Sequence, residues 1–319
     1  MLIALVQIAA GFVLLMWSAD RLVAGASALA RNLGVSPMVV GLTIVGFGTS
    51  APEMLVSALA SLEGNPSLAI GNALGSNIAN VGLILGLTGL IYPMAVEGTA
   101  REREFPILAV CTVGVAVLML DAAFTRFDGV LLITGLALFV GSMVFRGTRP
   151  RVEDPATQAL LAEIPAEMAT RTAVGWTVVG LVVLPLSAQV LVNGAVGLAV
   201  LMGVSEAVIG LTIVALGTSL PELAAALASA LKKEDDLCIG NILGSNLFNL
   251  LGVLGIAALI HPMAIESELI WRDLPVMALV FAMLAAMAYT SGRVGRIGAT
   301  MLIVTYTTYQ VAVFYRALT

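Results

Sequence analysis

The chain has 319 residues, of which 60% are hydrophobic and only 11% are charged, and its formal net charge is −5. Charged residues make up about a quarter of an ordinary soluble domain. The composition therefore excludes a soluble protein and indicates an integral membrane protein in contact with lipid. The net charge excludes little, but no segment suggests nucleic-acid binding. Cys111 and Cys238 fall in apolar runs without metal-ligand or disulfide spacing.

Long apolar runs predict ten membrane-spanning helices, because a helix needs about 20 apolar residues to cross a bilayer. The runs are long and show no strict alternation of apolar and polar residues, which argues against a β-barrel. The first run has no basic start or cleavage site and is interpreted as a retained helix. The predicted helices, in an all-α integral membrane fold, cover 2–31, 37–60, 67–93, 104–120, 129–145, 172–202, 206–231, 237–260, 271–290 and 294–315.

The basic residues predict the orientation, because loops that face the cytoplasm carry excess Lys and Arg. Every second connection, beginning with the one between the first two predicted helices, belongs to one set, and this set holds eleven of the 15 Lys and Arg residues. Of the other four, Arg21 lies within the first helix, and Arg126, Arg272 and Arg316 belong to the other set, which includes the termini. We therefore expect both termini outside the cell (inner) membrane, or in the periplasm, and residues 146–171 in the cytoplasm.

The chain also matches itself at an offset of 169 residues. "GLTIVGFGTS" at 41–50 lies over "GLTIVALGTS" at 210–219, with eight of ten positions identical. "GNALGSN" at 71–77 lies over "GNILGSN" at 240–246, with six of seven identical. Agreement at one fixed offset indicates a duplication.

Each copy contains five predicted helices, and an odd number inserts the second copy upside down. The sequence therefore predicts two inverted repeats, 1–145 and 172–319, joined by a polar linker at 146–171. Inverted repeats are typical of secondary transporters, whose binding sites lie near the membrane midplane between the repeats.

The first repeated signature, "GTSAPE" at 48–53, combines oxygen ligands with a helix break. On a helix Gly46, Thr49 and Glu53 share one stripe, which Ser50 borders. Pro52 should kink the helix and free carbonyl oxygens, and in a bilayer such backbone must be buried in protein or line a cavity. Carboxylate, hydroxyl and carbonyl oxygens are the ligands that suit Ca²⁺.

The second copy, "GTSLPE" at 217–222, repeats this pattern with Ala215, Thr218, Ser219 and Glu222. A single acidic side chain at the bilayer centre costs roughly 3 kcal/mol. Two ionised glutamates that meet between the repeats would also repel each other. One divalent cation, two monovalent cations or protons would neutralise them. The plainer alternative is a pair of protonated structural glutamates.

The second repeated signature adds neutral ligands in the next helix. Ser76 and Asn80 are four residues apart and share a face, and their counterparts are Ser245 and Asn249. Their hydroxyl and amide oxygens can complete a coordination shell. The neighbouring asparagines, Asn77 and Asn246, are interpreted first as contacts between helices.

With these motifs the sequence resembles the sodium/calcium exchanger family of the cation/Ca²⁺ antiporter superfamily. The paired "GTSxPE" and "GSNxxN" signatures match the two inverted repeats of that family, and the likeness runs through all ten predicted helices. One position departs from some members, including the potassium-dependent branch, which carry Asp where this chain has Asn249. That departure argues against K⁺ co-transport, and the short linker indicates a compact prokaryotic-type member.

The resemblance implies Na⁺-driven Ca²⁺ antiport by alternating access, in which the first helix of each half slides past a core of the other eight. It implies that Glu53 and Glu222 are the central Ca²⁺ ligands. It assigns flanking Na⁺ sites to Thr49, Ser50, Thr218, Ser219, Ser76, Ser245 and the carbonyls of Gly46 and Ala215.

Other functions remain open at the level of sequence. A H⁺/Ca²⁺ antiporter needs the same carboxylates, although the Thr and Ser pairs favour Na⁺, which takes several neutral oxygens. An intramembrane enzyme that uses two carboxylates has no need of a duplicated half, and a passive cation channel is a further alternative. We expect a monomeric transporter rather than an enzyme, with no cofactor and with Ca²⁺ and Na⁺ as the transported ions.

Overall fold

The structure, a computed structural model, describes residues 1–64, 66–96, 98, 100–147, 168–202 and 217–318. Its helices are α1 (Leu2–Leu33), α2 (Pro37–Thr49), α3 (Ala51–Leu62), α4 (Ser67–Ile91), α5 (Phe105–Leu118), α6 (Arg126–Gly147), α7 (Thr170–Leu201), α8 (Leu220–Leu231), α9 (Asp235–Ile260), α10 (Leu269–Ser291) and α11 (Arg296–Leu318).

Seven of these helices are long and apolar enough to cross a membrane: α1, α4, α6, α7, α9, α10 and α11. The pair α2 and α3, bent by 43°, forms an eighth span if it is counted as one. Helices α5 and α8 are shorter than a span. Helix α8 is the second part of the helix predicted at 206–231, and residues 206–216 of that helix lie outside the described residues. The all-helical membrane fold is confirmed at this level of detail.

Two predicted boundaries differ from the structure. The helix predicted at 37–60, with a kink expected at Pro52, divides two residues earlier at Ser50, which has φ −85° and ψ 0°. The helix predicted at 294–315 begins at Arg296, because Arg293–Val294 pairs as a strand. Most of the predicted linker, 148–167, lies outside the described residues.

Short π-helical turns interrupt the helices at related places. One covers Asn80–Leu85 within α4, and another covers Phe248–Val253 within α9. Turns of the same kind occupy Ala100–Glu104 before α5 and Leu269–Asp273 at the start of α10, 169 residues apart. Such turns are rare and frequently occur at functional sites.

Four two-residue strands join the two halves of the chain at their ends. They are β1 (Met94–Ala95), β2 (Ala123–Phe124), β3 (Met263–Ala264) and β4 (Arg293–Val294). β1 pairs with β4 and β2 pairs with β3, both antiparallel. Each half therefore contributes one strand to each ladder.

Helices α4 and α9 form the centre of the molecule. Of their most apolar windows, 72% of α4 and 89% of α9 is buried inside the protein, against 28% of α1 and of α7. The polar "GSN" signatures lie on these two helices, so the structure places them in its interior instead of at the lipid surface.

Helices α1 and α7 pack along each other through glycines. A Cβ on Gly11 would lie 2.6 Å from the backbone nitrogen of Leu191, and one on Gly180 would lie 2.7 Å from the Cα of Leu22. These two contacts are related by the same 169-residue offset. Close backbone approach at small residues is the usual means of association between helices in a membrane.

This packing predicts different effects for two glycines of α7. Gly180→Ala should lower the free energy of unfolding by about 1–3 kcal/mol, because its Cβ would meet backbone atoms that cannot move aside cheaply. The matched control is Gly175→Ala, since a Cβ on Gly175 meets nothing within 4 Å. Thermal unfolding of both variants in detergent measures the difference, and equal melting temperatures would contradict this account of the packing.

Candidate functional site

Two helix breaks of the same shape bring the predicted ligands to the interior. Ser50, between α2 and α3, has φ −85° and ψ 0°, and Ser219, before α8, has φ −89° and ψ 3°. A proline occupies the first turn of each following helix. Pro52 and Pro221 are tolerated there because the first backbone N–H groups of a helix have no partner within it.

Each break places a glutamate at the start of a helix. Glu53 lies in the first turn of α3 and Glu222 in the first turn of α8, and each is only 1% exposed. The positive end of the helix dipole stabilises a negative side chain at that position. The two carboxylates lie close enough for their charges to interact.

The first break contacts the second half of the chain through hydroxyl groups. The Ser50 hydroxyl donates to Glu222 Oε1 at 3.3 Å. The Thr49 hydroxyl donates to Asn241 Oδ1 at 3.2 Å and lies 3.2 Å from the Ser245 hydroxyl. Ligands that are far apart in the sequence therefore share one buried polar cluster.

The Gly46 carbonyl, a predicted ligand, lies in the same cluster. It accepts from the backbone N–H of Ser50 at 3.1 Å and lies within reach of the Thr49 and Ser245 hydroxyls, at 3.4 and 3.5 Å. Its counterpart Ala215 lies outside the described residues. Of the two predicted carbonyl ligands, the described residues therefore include Gly46 alone.

The remaining predicted ligands are also inside the protein. Ser76 is 6% exposed, Ser219 4%, and both Asn80 and Asn249 are at most 1% exposed. Thr218 is half-buried beside Ser219. Asn80 and Asn249 both lie in the π-helical turns of their helices.

Several oxygens in this cluster have no hydrogen-bond donor among the described residues. They belong to predicted ligands and comprise Glu53 Oε2, Glu222 Oε2, Asn80 Oδ1 and Asn249 Oδ1. Leaving a buried acceptor unsatisfied costs about 1–3 kcal/mol, and more when it is charged. Oxygens of this kind are the atoms that bind a hard cation.

Two further asparagines, which the sequence analysis did not single out, contact the first break. Asn72 Nδ2 donates to the Glu53 carbonyl at 3.3 Å and to the Ser57 hydroxyl at 3.0 Å. Asn241, its counterpart in the repeat, accepts from Thr49. Both belong to the "GN" that opens the second signature, so their duplication was the signal that could have identified them.

The cluster can hold a hard cation without being a conventional resident metal site. No group of three or more His, Cys, Asp or Glu in the described part of the chain is arranged to hold a metal. The donor set is two carboxylates with surrounding hydroxyl and amide oxygens, which suits Ca²⁺ or Na⁺ better than a transition metal.

A sequence model of the sodium/calcium exchanger protein family matches residues 3–145 and 172–315. The chain belongs to the sodium/calcium exchanger family. The recognised resemblance is thus confirmed, and with it a multi-pass membrane protein of a transporter family.

Three relatives can be aligned with this chain over nearly its whole length. CaxA of Alkalimonas amylolytica is 45% identical over 317 residues, covering 98% of this chain and 99% of the relative. The inner membrane protein YrbG of Escherichia coli is 40% identical, covering 91% and 90%. The sodium/calcium exchanger MaX1 of Methanosarcina acetivorans is 30% identical, covering 96% and 97%.

Solved structures of the sodium-calcium exchanger NCX_Mj share the fold of this family member. One, soaked with Na⁺ and Sr²⁺, superposes with a TM-score of 0.84 at 29% identity and covers 96% of this chain and 97% of that chain. Another, soaked without Na⁺ and Ca²⁺, gives a TM-score of 0.85 at 28% identity. Both cover almost all of each chain, so the exchanger fold extends through both halves.

The buried carboxylates of Glu53 and Glu222 predict that removal of one charge, by Glu53→Gln, stabilises the protein when no ion is bound. At alkaline pH, where both carboxylates ionise, and without Na⁺ or Ca²⁺ (choline buffer with EGTA), Glu53→Gln should raise the melting temperature by about 2–4 °C, because it removes charge repulsion in the interior. With saturating Ca²⁺ the order should reverse, because the wild-type protein gains about 2.7 kcal/mol at 100 times its Kd and the variant gains much less.

Glu63→Gln is the matched control for this experiment. Glu63 lies at the exposed end of the same helix, α3, so its replacement should change neither measurement. A Glu53→Gln variant that is less stable than the wild-type protein in EGTA would contradict the repulsion.

Proposed function

We propose that this protein is an antiporter that exchanges Na⁺ for Ca²⁺ across the membrane by alternating access. The observation that carries the proposal is the set of four buried acceptor oxygens, from Glu53, Glu222, Asn80 and Asn249, that no described donor satisfies. A site that binds either one Ca²⁺ or Na⁺ at the same carboxylates makes the two ions compete. That competition is the basis of exchange.

The proposed ligand set follows the cluster. Glu53 and Glu222 bind Ca²⁺, and the hydroxyl, amide and carbonyl oxygens around them bind Na⁺. The neutral ligands are Thr49, Ser50, Ser76, Asn80, Thr218, Ser219, Ser245, Asn249 and the carbonyls of Gly46 and Ala215. The name of MaX1, a sodium/calcium exchanger, supports the same pair of ions for this chain.

The proposal includes ten spans arranged as two inverted five-helix repeats, 1–145 and 172–319. The strand ladders support it. β1 and β3 are equivalent under the 169-residue offset, but β3 pairs with β2 rather than lying beside β1. The π-helical turn Ala100–Glu104 and α5 separate β1 from β2, so the equivalent strands β1 and β3 lie at opposite ends of that helical segment.

The glycine contacts between α1 and α7 give independent support for the repeat. Gly25 approaches the backbone nitrogen of Thr177 as Gly194 approaches that of Ile8, at 2.7 and 2.9 Å for an added Cβ. The offset converts each contact into the other. The name of YrbG, an inner membrane protein, supports the same membrane here. The proposed orientation, with both termini outside and residues 146–171 in the cytoplasm, rests on the distribution of Lys and Arg between the connections.

Ion flux in proteoliposomes tests the function. Vesicles loaded with Na⁺ and diluted into Na⁺-free buffer should take up ⁴⁵Ca²⁺, because the outward Na⁺ gradient drives Ca²⁺ inward through the shared site. Collapse of the gradient with a Na⁺ ionophore should abolish uptake. Uptake that ignores Na⁺ and follows an imposed pH gradient would assign the protein to H⁺/Ca²⁺ antiport instead.

Replacement of either carboxylate should abolish this uptake. Glu53→Gln and Glu222→Gln each leave the site one charge short of balancing Ca²⁺, and we expect a loss of more than about 100-fold in rate from an unbalanced buried charge of about 3 kcal/mol. Size-exclusion profiles equal to the wild-type profile serve as the folding control. Near-normal exchange in both variants would reject the site.

A substitution at Asn249 provides a complementary test, because it adds a carboxylate to the site instead of removing one. Asn249→Asp adds a titratable group to a site that otherwise has two carboxylates. The rate of Ca²⁺ uptake should therefore depend more steeply on pH between about 4 and 7, with protonation restoring the neutral state at low pH. An unchanged pH profile would show that Asn249 does not line the site.

A further inference from the structure

The buried asparagine that ends the second "GSN" signature, Asn246, makes a contact across the repeat boundary. Its side chain is completely buried in α9. Asn246 Oδ1 accepts from Asn80 Nδ2 of α4 at 3.2 Å. Its backbone carbonyl accepts from Asn77 Nδ2 at 3.3 Å. The three asparagines thus bind the two central helices together.

In the orientation that the structure shows, the bond to Asn246 engages the nitrogen end of the Asn80 amide and leaves the oxygen end for the proposed ion site. An amide has an oxygen on one side and an NH₂ group on the other. Because Asn246 holds the nitrogen, the oxygen Oδ1 must point the opposite way, where it is buried without a donor among the described residues. In the reversed orientation, Asn80 would present hydrogen atoms, which repel a cation.

The other half of the repeat does not make the equivalent bond. The counterparts of Asn80 and Asn246 are Asn249 and Asn77. In the described part of the chain, neither Asn249 Nδ2 nor Asn77 Oδ1 has a hydrogen-bond partner. Within the described residues the bond between Asn80 and Asn246 therefore has no equivalent in the other copy, and it does not follow from the repeated sequence alone.

We propose that Asn246 is a positioning residue for ion binding, which acts through Asn80 by holding its amide oxygen toward the cation. This inference rests on the proposed antiport function. It assigns to Asn246 a role in ion affinity that a simple packing contact between helices would not have.

Two replacements of similar size separate orientation from packing. Asn246→Leu fills the space without an acceptor, so we expect the apparent KM for Ca²⁺ in the vesicle assay to rise about fivefold or more, the effect of losing one buried ligand contact. Asn246→Asp keeps an acceptor oxygen, so its KM should not rise. If the residue only packs, the apolar variant should retain the KM and the charged variant should raise it or fail to fold.

A double-mutant cycle tests whether the effect passes through Asn80. Asn80→Asp has an oxygen at both ends of its terminal group, so its orientation no longer matters. In that background Asn246→Leu should change the KM less than about twofold, because interaction energy is detected as non-additivity between residues in contact. Equal effects of Asn246→Leu in both backgrounds would overturn the proposal.

The outcomes also separate this proposal from the proposed function. If the wild-type protein shows no Na⁺-dependent Ca²⁺ uptake, the function fails first. The cycle is then repeated with the Ca²⁺-induced rise in melting temperature as its readout, which reports binding without transport. A wild-type protein that exchanges, with a KM that is unaffected by Asn246→Leu, rejects the positioning role alone.

Discussion

The structure depends on two carboxylates that lie close together in the interior of a membrane protein. Glu53 and Glu222 are each 1% exposed, and each retains one oxygen without a donor in the described residues. Burial of even one charge without a partner costs several kcal/mol. No arrangement of neutral side chains cancels two negative charges, so the pair needs either metal cations or protons from outside the chain. The helix breaks, the hydroxyls and the amides around the pair are the features that make such an ion a good fit.

The helix breaks show how a short sequence builds this environment. In each copy a serine with ψ near 0° ends one helical segment, and a proline and a glutamate begin the next. The break turns a helix N-terminus, with its positive dipole, toward the interior at the level of the acid. An unbroken helix would satisfy its backbone groups within itself and would offer only side chains. A hydroxyl of the first break, Ser50, then reaches the glutamate of the second.

The glutamate pair and the helix breaks could be predicted from the sequence, because both depend on residue types that are unusual in apolar segments. Carboxylates in apolar runs are rare, and their duplication at a fixed offset identified both Glu53 and Glu222 as a pair. The structure locates the first break at Ser50, two residues before the proline that predicted it, because Pro52 is accommodated in the first turn of α3. The duplication of Asn72 and Asn241 could have drawn attention to both residues, but it could not predict their hydrogen-bond partners, since an amide has several possible partners and only the fold selects one. The strand ladders were also missed, because two-residue strands leave no periodic pattern.

The two copies have similar sequences but do not make equivalent contacts. Asn80 is held by Asn246, whereas the counterpart pair is not bonded in the described residues. At one end of the molecule Lys232, after α8, pairs with Asp20 of α1 at 2.7 Å.

The sequence itself prevents a mirrored version of that ion pair. The counterparts of Asp20 and Lys232 are Gln189 and Glu63, which cannot form one. The proposed alternating access would exchange the roles of the two halves, and it would therefore lose this contact without replacing it. A partly exposed ion pair contributes about 0.2–1 kcal/mol, which is enough to favour one of two otherwise equivalent states by up to about fivefold. Under the proposed alternating access, substitutions outside the ion site, such as those at Asp20 and Lys232, would therefore set the relative populations of the two states.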